Sequence, residues 1–438
     1  MPLVIALLGI VALLLLIIFL RLNAFIAFVI VSLLVGLFQG MPLDEVASSI
    51  QNGIGGTLGF LIIILGFGAM LGKLVADSGA AQRITSSLVS FFGTKNIQWA
   101  VVLTGFIVGI PMFYSVGFVI LVPLVFAVAH TTKLPLLYVG LPMLASLSVT
   151  HGYLPPHPAP SAIAVMFEAD LGLTLLYGIV AAIPAIILAG PLFSRTLKHI
   201  NPKPPKDLFN TEVIPEEKLP SLFVSITTAL FPLILIGSSA IIQIVATPDS
   251  WIYIWSGYWG NPLLAMLLSV LVAIYTLGIQ RGKDMTQVMD SLVQAVSGIT
   301  MILLIIGGAG ALKQVLTDSG VSDYIGGLLK ESTLSPLLLA WCIAAAIRVC
   351  VGSATVAGLT TAGILLPVLS QSGVSGELMV LAIGSGSLMF SHVNDSGFWM
   401  FKEYFNLTIK ETLSTWTVME TIVSVTGLVS VLILQNLI

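Results

Sequence analysis

The chain has 438 residues, of which 57% are hydrophobic and only 8% charged, with a formal net charge of −3. A soluble domain carries roughly 25% charged residues, so this chain lacks the polarity to cover a water-facing surface and reads as an all-α polytopic membrane protein. No basic stretch suggests nucleic-acid binding, and Cys342 and Cys350, both in apolar sequence, read as packing residues rather than a disulfide or metal pair.

A helix crossing ~30 Å of hydrocarbon takes about 20 apolar residues. The first apolar run, 3–20, has no basic region before it and no small-residue cleavage site after it. It reads as a retained span rather than a signal peptide. Further spans are expected over 23–40, 54–72, 135–150, 173–193, 223–246, 262–279, 293–312, 378–393 and 412–434. Two apolar stretches, 98–129 and 335–370, are too long for one span and are interrupted, the first by Gly109-Ile110-Pro111 and the second by Gly352-Ser353. They read as re-entrant hairpins or broken helices, in addition to about 10–12 transmembrane helices. The proline-rich polar stretch 195–220 splits the chain. The expected division is a first transmembrane repeat over 1–199, a linker over 200–220 and a second repeat over 221–438.

The halves resemble each other at one offset of 241 residues. Gly66, Leu71 and Asp77-Ser78-Gly79 match Gly307, Leu312 and Asp318-Ser319-Gly320; Gly117 matches Gly358, and His151 matches His392. Basic residues favour cytoplasmic loops. If the linker, with Arg195, Lys198, Lys203, Lys206 and Lys218, is cytoplasmic, every other Lys and Arg except Lys313, Lys330 and Arg348 falls on the same side. Corresponding loops then lie on opposite faces, the pattern of an inverted-topology repeat, and the N-terminus is expected to be periplasmic.

Arg348 lies far from any loop and is followed by Gly352-Ser353-Ala354-Thr355. A charged side chain inside a membrane segment costs at least ~2.5–3.5 kcal/mol on insertion scales and tends to face a cavity and a partner. A guanidinium, the Ser353 and Thr355 hydroxyls and the free N–H groups of a broken helix together suit a carboxylate. The alternative is an ion pair of Arg348 with a buried acid such as Asp395, made for packing. SVTHGYLPPHPAPSAIA, 148–164, carries four prolines and two histidines. Prolines break a membrane helix only where the backbone is buried in protein or lines a cavity. His151 is therefore a candidate proton carrier or a histidine satisfied by a neighbouring helix, and His157 reads as interfacial. In GSGSLMFSHVNDSGFWMFKEYF, 384–405, Asp395 is the main acidic candidate, with His392 as the repeat partner of His151. Ser391 and Asn394 can hydrogen-bond a polyol, and Phe398, Trp399 and Phe401 read as an aromatic interface belt. The glycine-rich 66–72 and 306–311 read as close helix packing and not as phosphate loops, because no Lys-Ser/Thr follows.

With these motifs the chain closely resembles the gluconate permease family of bacterial proton symporters. The landmarks are GFGAMLGKLVADSGAAQRI, SVTHGYLPPHP, GGAGALKQVLTDSG, VGSATVAG and SHVND-x-GFW-x-FKEYFNLT, and the likeness runs from Met1-Pro2-Leu3 to the C-terminus. The resemblance implies an inner-membrane transporter of gluconate or a related sugar acid, built from inverted repeats and helical hairpins, with a proton as coupling ion and no cofactor or metal. Arg348 falls in the arginine-then-GSATVA motif of the aldonate members, and His392-Val393-Asn394-Asp395 matches the gluconate type better than the D-serine type. Three positions depart from the family pattern. Ser115, in Met112-Phe113-Tyr114-Ser115-Val116-Gly117-Phe118, stands where an acid is usual, Ala159 where glycine is usual and Ser396 where proline is usual. If that acid carries the coupled proton, coupling here moves to His151 or Asp395.

The expectation is thus a proton-coupled importer of gluconate or a similar aldonate. Arg348, Ser353, Thr355, Ser391, Asn394, Tyr114 and Ser115 would bind substrate, and His151, Asp395 and His392 would handle protons. The expected partners are a small carboxylate and membrane lipid, with a homo-oligomer left open. The alternative within transport is a carrier of another small carboxylate, D-serine, a hydroxy acid or a dicarboxylate, sodium-coupled or uncoupled. A metal-dependent intramembrane hydrolase using His151, His157, His392 and Asp395 lacks a supporting motif, and a passive channel would show unsaturable flux.

Overall fold

A computed structural model describes residues 2–200, 202, 214–321, 335–393 and 395–438. Among the described residues there are helices and connecting turns and no strand. Helices α1 (Pro2–Ile18) and α2 (Ala24–Phe38) lead into the long α3 (Leu43–Asp77). Next come α4 (Ala80–Phe92), α5 (Ile97–Gly109), α6 (Tyr114–Thr132), α7 (Leu136–Tyr153), α8 (Pro158–Met166) and α9 (Leu171–Ile187). The second half contains α10 (Leu222–Ala229), α11 (Phe231–Val245), α12 (Trp251–Trp259), α13 (Pro262–Ala273) and the long α14 (Met285–Asp318). It closes with α15 (Pro336–Val351), α16 (Ala354–Ser372), α17 (Gly376–Gly386), α18 (Ser396–Tyr404), α19 (Ile409–Thr412) and α20 (Val418–Gln435). The order of a long helix, a broken helical pair and a further helix occurs in both halves, as α3, α5–α6, α7 and as α14, α15–α16, α17.

Five described helices are long and apolar enough to cross a membrane, and up to eight if each bent pair counts as one span. Several expected spans are shorter than a full crossing. The expected span 378–393 ends at Gly386, because Gly384-Ser385-Gly386-Ser387 holds a helix weakly and the Ser385 and Ser387 hydroxyls turn back onto the carbonyls of Ala382 and Gly384. The chain then turns through Phe390, at φ 49°, and carries Ser391 and Asp395 back into the protein.

The two long helices, α3 and α14, pack on each other. They approach closely because Gly310 and Gly53 face each other. A Cβ on Gly310 would meet Thr57 Oγ1 at 2.3 Å and the Gly53 carbonyl oxygen at 2.5 Å. Gly72 similarly lets the Pro111 carbonyl approach, whereas a Cβ on Gly66 would meet nothing. Small residues at helix crossings permit such backbone contact.

The linker's end is held by the first half. Arg83 on α4 donates to the carbonyls of Glu216 and Pro220 and pairs with the Glu216 carboxylate. Gln82 exchanges two hydrogen bonds with the backbone of Ile214. Residues 203–213 of the linker lie outside the described residues.

Two readings of the sequence are corrected here. Phe398 and Phe401 form no interface belt: both are fully buried, and Phe401 stacks on Phe405 at 4.6 Å. Only Trp399 of that trio is exposed; Trp251, Trp255 and Tyr258 on α12 form an exposed aromatic cluster. Cys342 and Cys350 are free thiols, and they are exposed rather than packed inside.

Candidate functional site

The two breaks meet. The backbone leaves α5 at Gly109 and resumes as α6 at Tyr114; it leaves α15 at Val351 and resumes as α16 at Ala354. Gly352 makes the second break at φ 79°, a left-handed conformation that glycine adopts without a Cβ penalty. Ser353 caps α16 by accepting from the Val356 N–H at 3.3 Å. Between the breaks lies a cavity of about 270 Å³. That is near the lower end of small-molecule sites, roughly 300–1,000 Å³, so the occupant is small.

Phe113, Tyr114 and Ser115 line it from the first break, and Arg348 with Gly352, Ser353, Ala354 and Thr355 from the second. Asp395, Ser396 and Gly397, at the start of α18, complete that side. Three helix N-termini therefore converge. The first N–H groups of a helix have no intrahelical acceptor and carry the positive end of its dipole. Phe113, the N-cap residue of α6, makes no side-chain cap, so the donors there are left for another acceptor.

Arg348 lies in the last turn of α15 with its side chain 4% exposed. Its Nη2 pairs with Asp395 Oδ2, while Nε and Nη1 are buried without a hydrogen-bond partner. Asp395 is fixed from several sides. Oδ2 also accepts from Ser391 Oγ, and Oδ1 accepts from the Gly397 N–H at 2.9 Å. Ser391 Oγ in turn accepts from Trp416 Nε1 at 2.8 Å. The result is a carboxylate held still against a cation that has unused donors.

Other unsatisfied groups share the same walls. Tyr114 OH, His151 Nδ1 and Glu420 Oε2 are buried and unpaired. With the two Arg348 nitrogens, five of the eight buried unpartnered polar side-chain atoms among the described residues belong to this one cavity. Native interiors leave few such atoms. Their concentration here marks a place built for a polar occupant.

Of the residues expected from sequence, Arg348, Ser353, Thr355, Tyr114, Ser115, His151 and Asp395 are brought together on the cavity wall. Ser391 stands behind the wall, with its hydroxyl committed to Asp395 and Trp416. His392 lies away from the cavity, where its Nε2 donates to the Val349 carbonyl at 3.0 Å. Asn394 lies outside the described residues. His157 is 3% exposed, and its Nε2 donates to the Gly109 carbonyl at 2.8 Å. It is buried rather than interfacial. Among the described residues no three His, Cys, Asp or Glu side chains are grouped to share a metal ion.

Glu420 was missed by sequence reasoning. It is the single acid inside the apolar run 412–434, and a lone intramembrane charge is itself the signal that should have drawn attention. It is 2% exposed and lines the cavity, with Oε1 accepting from Ser148 Oγ at 2.7 Å. A second cavity of about 390 Å³ shares Phe113, Ser115 and Ile302 with the first and reaches Lys73 and Gln294.

The family model for the GntP family permeases matches residues 1–438. The chain is 55% identical to the high-affinity gluconate transporter of Escherichia coli K12 over 438 residues, 100% of both chains. It is 51% identical to that organism's Gnt-II system L-idonate transporter, over 99% of this chain and 98% of the relative. Among solved structures it is similar in fold to MtrF of Neisseria gonorrhoeae, described as one of a class of antimetabolite efflux pumps. There the TM-score is 0.69 at 15% identity, covering 94% of each chain. With its apolar helices broken around a buried polar cavity, and matched by the family over its whole length, the chain belongs to the GntP family of permeases, multi-pass membrane transporters rather than enzymes.

Proposed function

We propose that the protein imports gluconate or a closely related aldonate across the bacterial inner membrane together with a proton. The observation that carries this reading is Arg348, buried beside Asp395 with two unpaired guanidinium nitrogens where three helix N-termini meet. Arginine stays charged in a protein and presents donors to a carboxylate in a fixed fork. The substrate carboxylate binds Arg348 and the α16 N-terminus, with Ser353 and Thr355 beside it. Tyr114 and Ser115 offer hydroxyls to the polyol, and Asn394 is a further candidate for that part. Ser391 acts through Asp395, which it positions. The two relatives, a gluconate transporter and an L-idonate transporter, support an aldonate over other small acids.

In this reading His151 and Asp395 exchange protons with the cavity, while His392, bonded to the Val349 carbonyl, supports the second break and takes no part in proton transfer. No cofactor is called for. The basic residues around the linker support a cytoplasmic linker and a periplasmic N-terminus, and the recurring element order supports two inverted repeats. Binding of an anion satisfies Arg348 and the free N–H groups, so the loaded site is less costly to move between the two faces than the empty one.

The test is uptake of labelled gluconate into proteoliposomes with and without an inward proton gradient. Saturable accumulation that collapses with a protonophore is expected. Uptake indifferent to the gradient would remove the proton from the reading. Normal kinetics in an R348A variant would remove the substrate assignment.

A further inference from the structure

Glu420 is used by nothing described so far. It lies within the 27-residue apolar span Ile409–Gln435. One carboxylate oxygen, Oε1, accepts the Ser148 hydroxyl at 2.7 Å, and the other, Oε2, is buried with no partner. No described ion pair includes Glu420; the one arginine on the cavity wall is paired with Asp395.

The groups that face it are accounted for. Ser148, His151 and Tyr153 come from α7, Tyr114 from α6, Arg348 from α15 and Asp395 from the start of α18. The Tyr153 hydroxyl is occupied, donating to the Val423 carbonyl at 2.6 Å. An ionised carboxylate that receives one hydrogen bond and no cation is costly to bury. A neutral carboxyl in the same place is not. Ser148 Oγ engages Oε1, and Oε2, buried without a partner, is the oxygen free to carry the hydrogen of a neutral carboxyl.

We propose that Glu420 is the binding site of the co-transported proton, with Oε2 as the atom that takes it up on one face of the membrane and releases it to water on the other. This rests on the symport reading above and supplies the carrier that Ser115 cannot be. The coupling follows from charge. With Glu420 ionised, the cavity holds two carboxylates, Glu420 and Asp395, against one guanidinium, and a substrate carboxylate would add a third negative charge. With Glu420 neutral, Arg348 can turn its unpaired donors to the substrate without that repulsion. Proton and anion therefore bind more tightly together than either does alone, which is reciprocal coupling between two sites.

The experiment compares wild type, Glu420→Gln and Glu420→Asp in proteoliposomes with labelled gluconate. For one proton per substrate, an inward gradient of one pH unit supports about tenfold accumulation. Wild type is expected to approach that ratio, E420Q to fall to about one-to-one equilibration, and E420D, which keeps the carboxyl, to recover accumulation. Exchange of labelled for unlabelled gluconate should rise as pH falls in wild type and lose that dependence in E420Q. Gradient-driven accumulation by E420Q beside a gradient-driven wild type overturns the inference alone. E420D as inactive as E420Q would make Glu420 structural and also overturn it. Wild-type uptake indifferent to the gradient overturns the symport reading, and this inference with it.

Discussion

Nε2 of His157 donates a 2.8 Å hydrogen bond to the carbonyl oxygen of Gly109, the last residue of α5. His392 does the same for Val349 at the end of α15. Each break in a membrane helix leaves carbonyls with no intrahelical donor and no bulk water to replace it, and a histidine from later in the chain supplies one at both breaks. A buried acceptor left unsatisfied costs about 1–3 kcal/mol. His157→Ala should therefore lower unfolding stability in detergent by that amount, and H392A by less, because the His392 bond lies at the protein's surface and not in its interior. Thermal unfolding of the two variants checks it; equal losses would contradict the argument.

The Arg348–Asp395 pair is buried on the arginine side and 14% exposed on the aspartate side. Removing one member of a buried pair costs about 3–5 kcal/mol, because the other charge is left uncompensated. R348A and D395A should each destabilise, and the double variant should lose less than the two single losses added together. R348A should also abolish saturable gluconate uptake while remaining in the membrane. A double-mutant cycle on unfolding midpoints, with uptake measured alongside, reads both outcomes.

Ser391 touches the carboxylate that holds Arg348 and stands behind the cavity wall. A hydrogen bond to a charged group contributes about 1.5–3 kcal/mol. Ser391→Ala should raise the KM for gluconate about tenfold or more with a smaller change in maximal rate. Trp416→Phe, which removes only the Nε1 donor to Ser391, should act in the same direction and more weakly. A fall in maximal rate at unchanged KM would place Ser391 elsewhere in the cycle.

The crossing of α3 and α14 tests the glycine argument internally. Gly310→Ala drives a methyl into Thr57 and the Gly53 backbone, and such overpacking costs about 1–3 kcal/mol. Gly66→Ala meets nothing and replaces glycine by a better helix former, so it should be neutral or stabilising. Similar losses from both would show that the two glycine runs play one general role.

Much of the fold was legible because its signals are local. The interruptions at Gly109-Ile110-Pro111 and Gly352-Ser353 fall where the helices break, since glycine, proline and a capping serine act on their own turn of backbone. Arg348 stood out because one charge in an apolar run is visible without knowing its neighbours. The early end of α17 at Gly386 was misread, because apolarity alone continues past the point where serine and glycine stop the helix.

By itself the sequence determined that this is a membrane protein of broken apolar helices, with an arginine beside one break and histidines, His151 and His392, 241 residues apart in its two halves. It did not determine which side chains share a wall. Helices apolar all round carry no stripe to say which face turns inward. Tertiary packing alone brought Ser148 onto Glu420 across 272 residues of chain, turned His392 to a carbonyl and away from the cavity, and buried Phe398 and Phe401. Those choices depend on which surfaces fit one another across the whole chain, a long-range condition that no local spacing encodes.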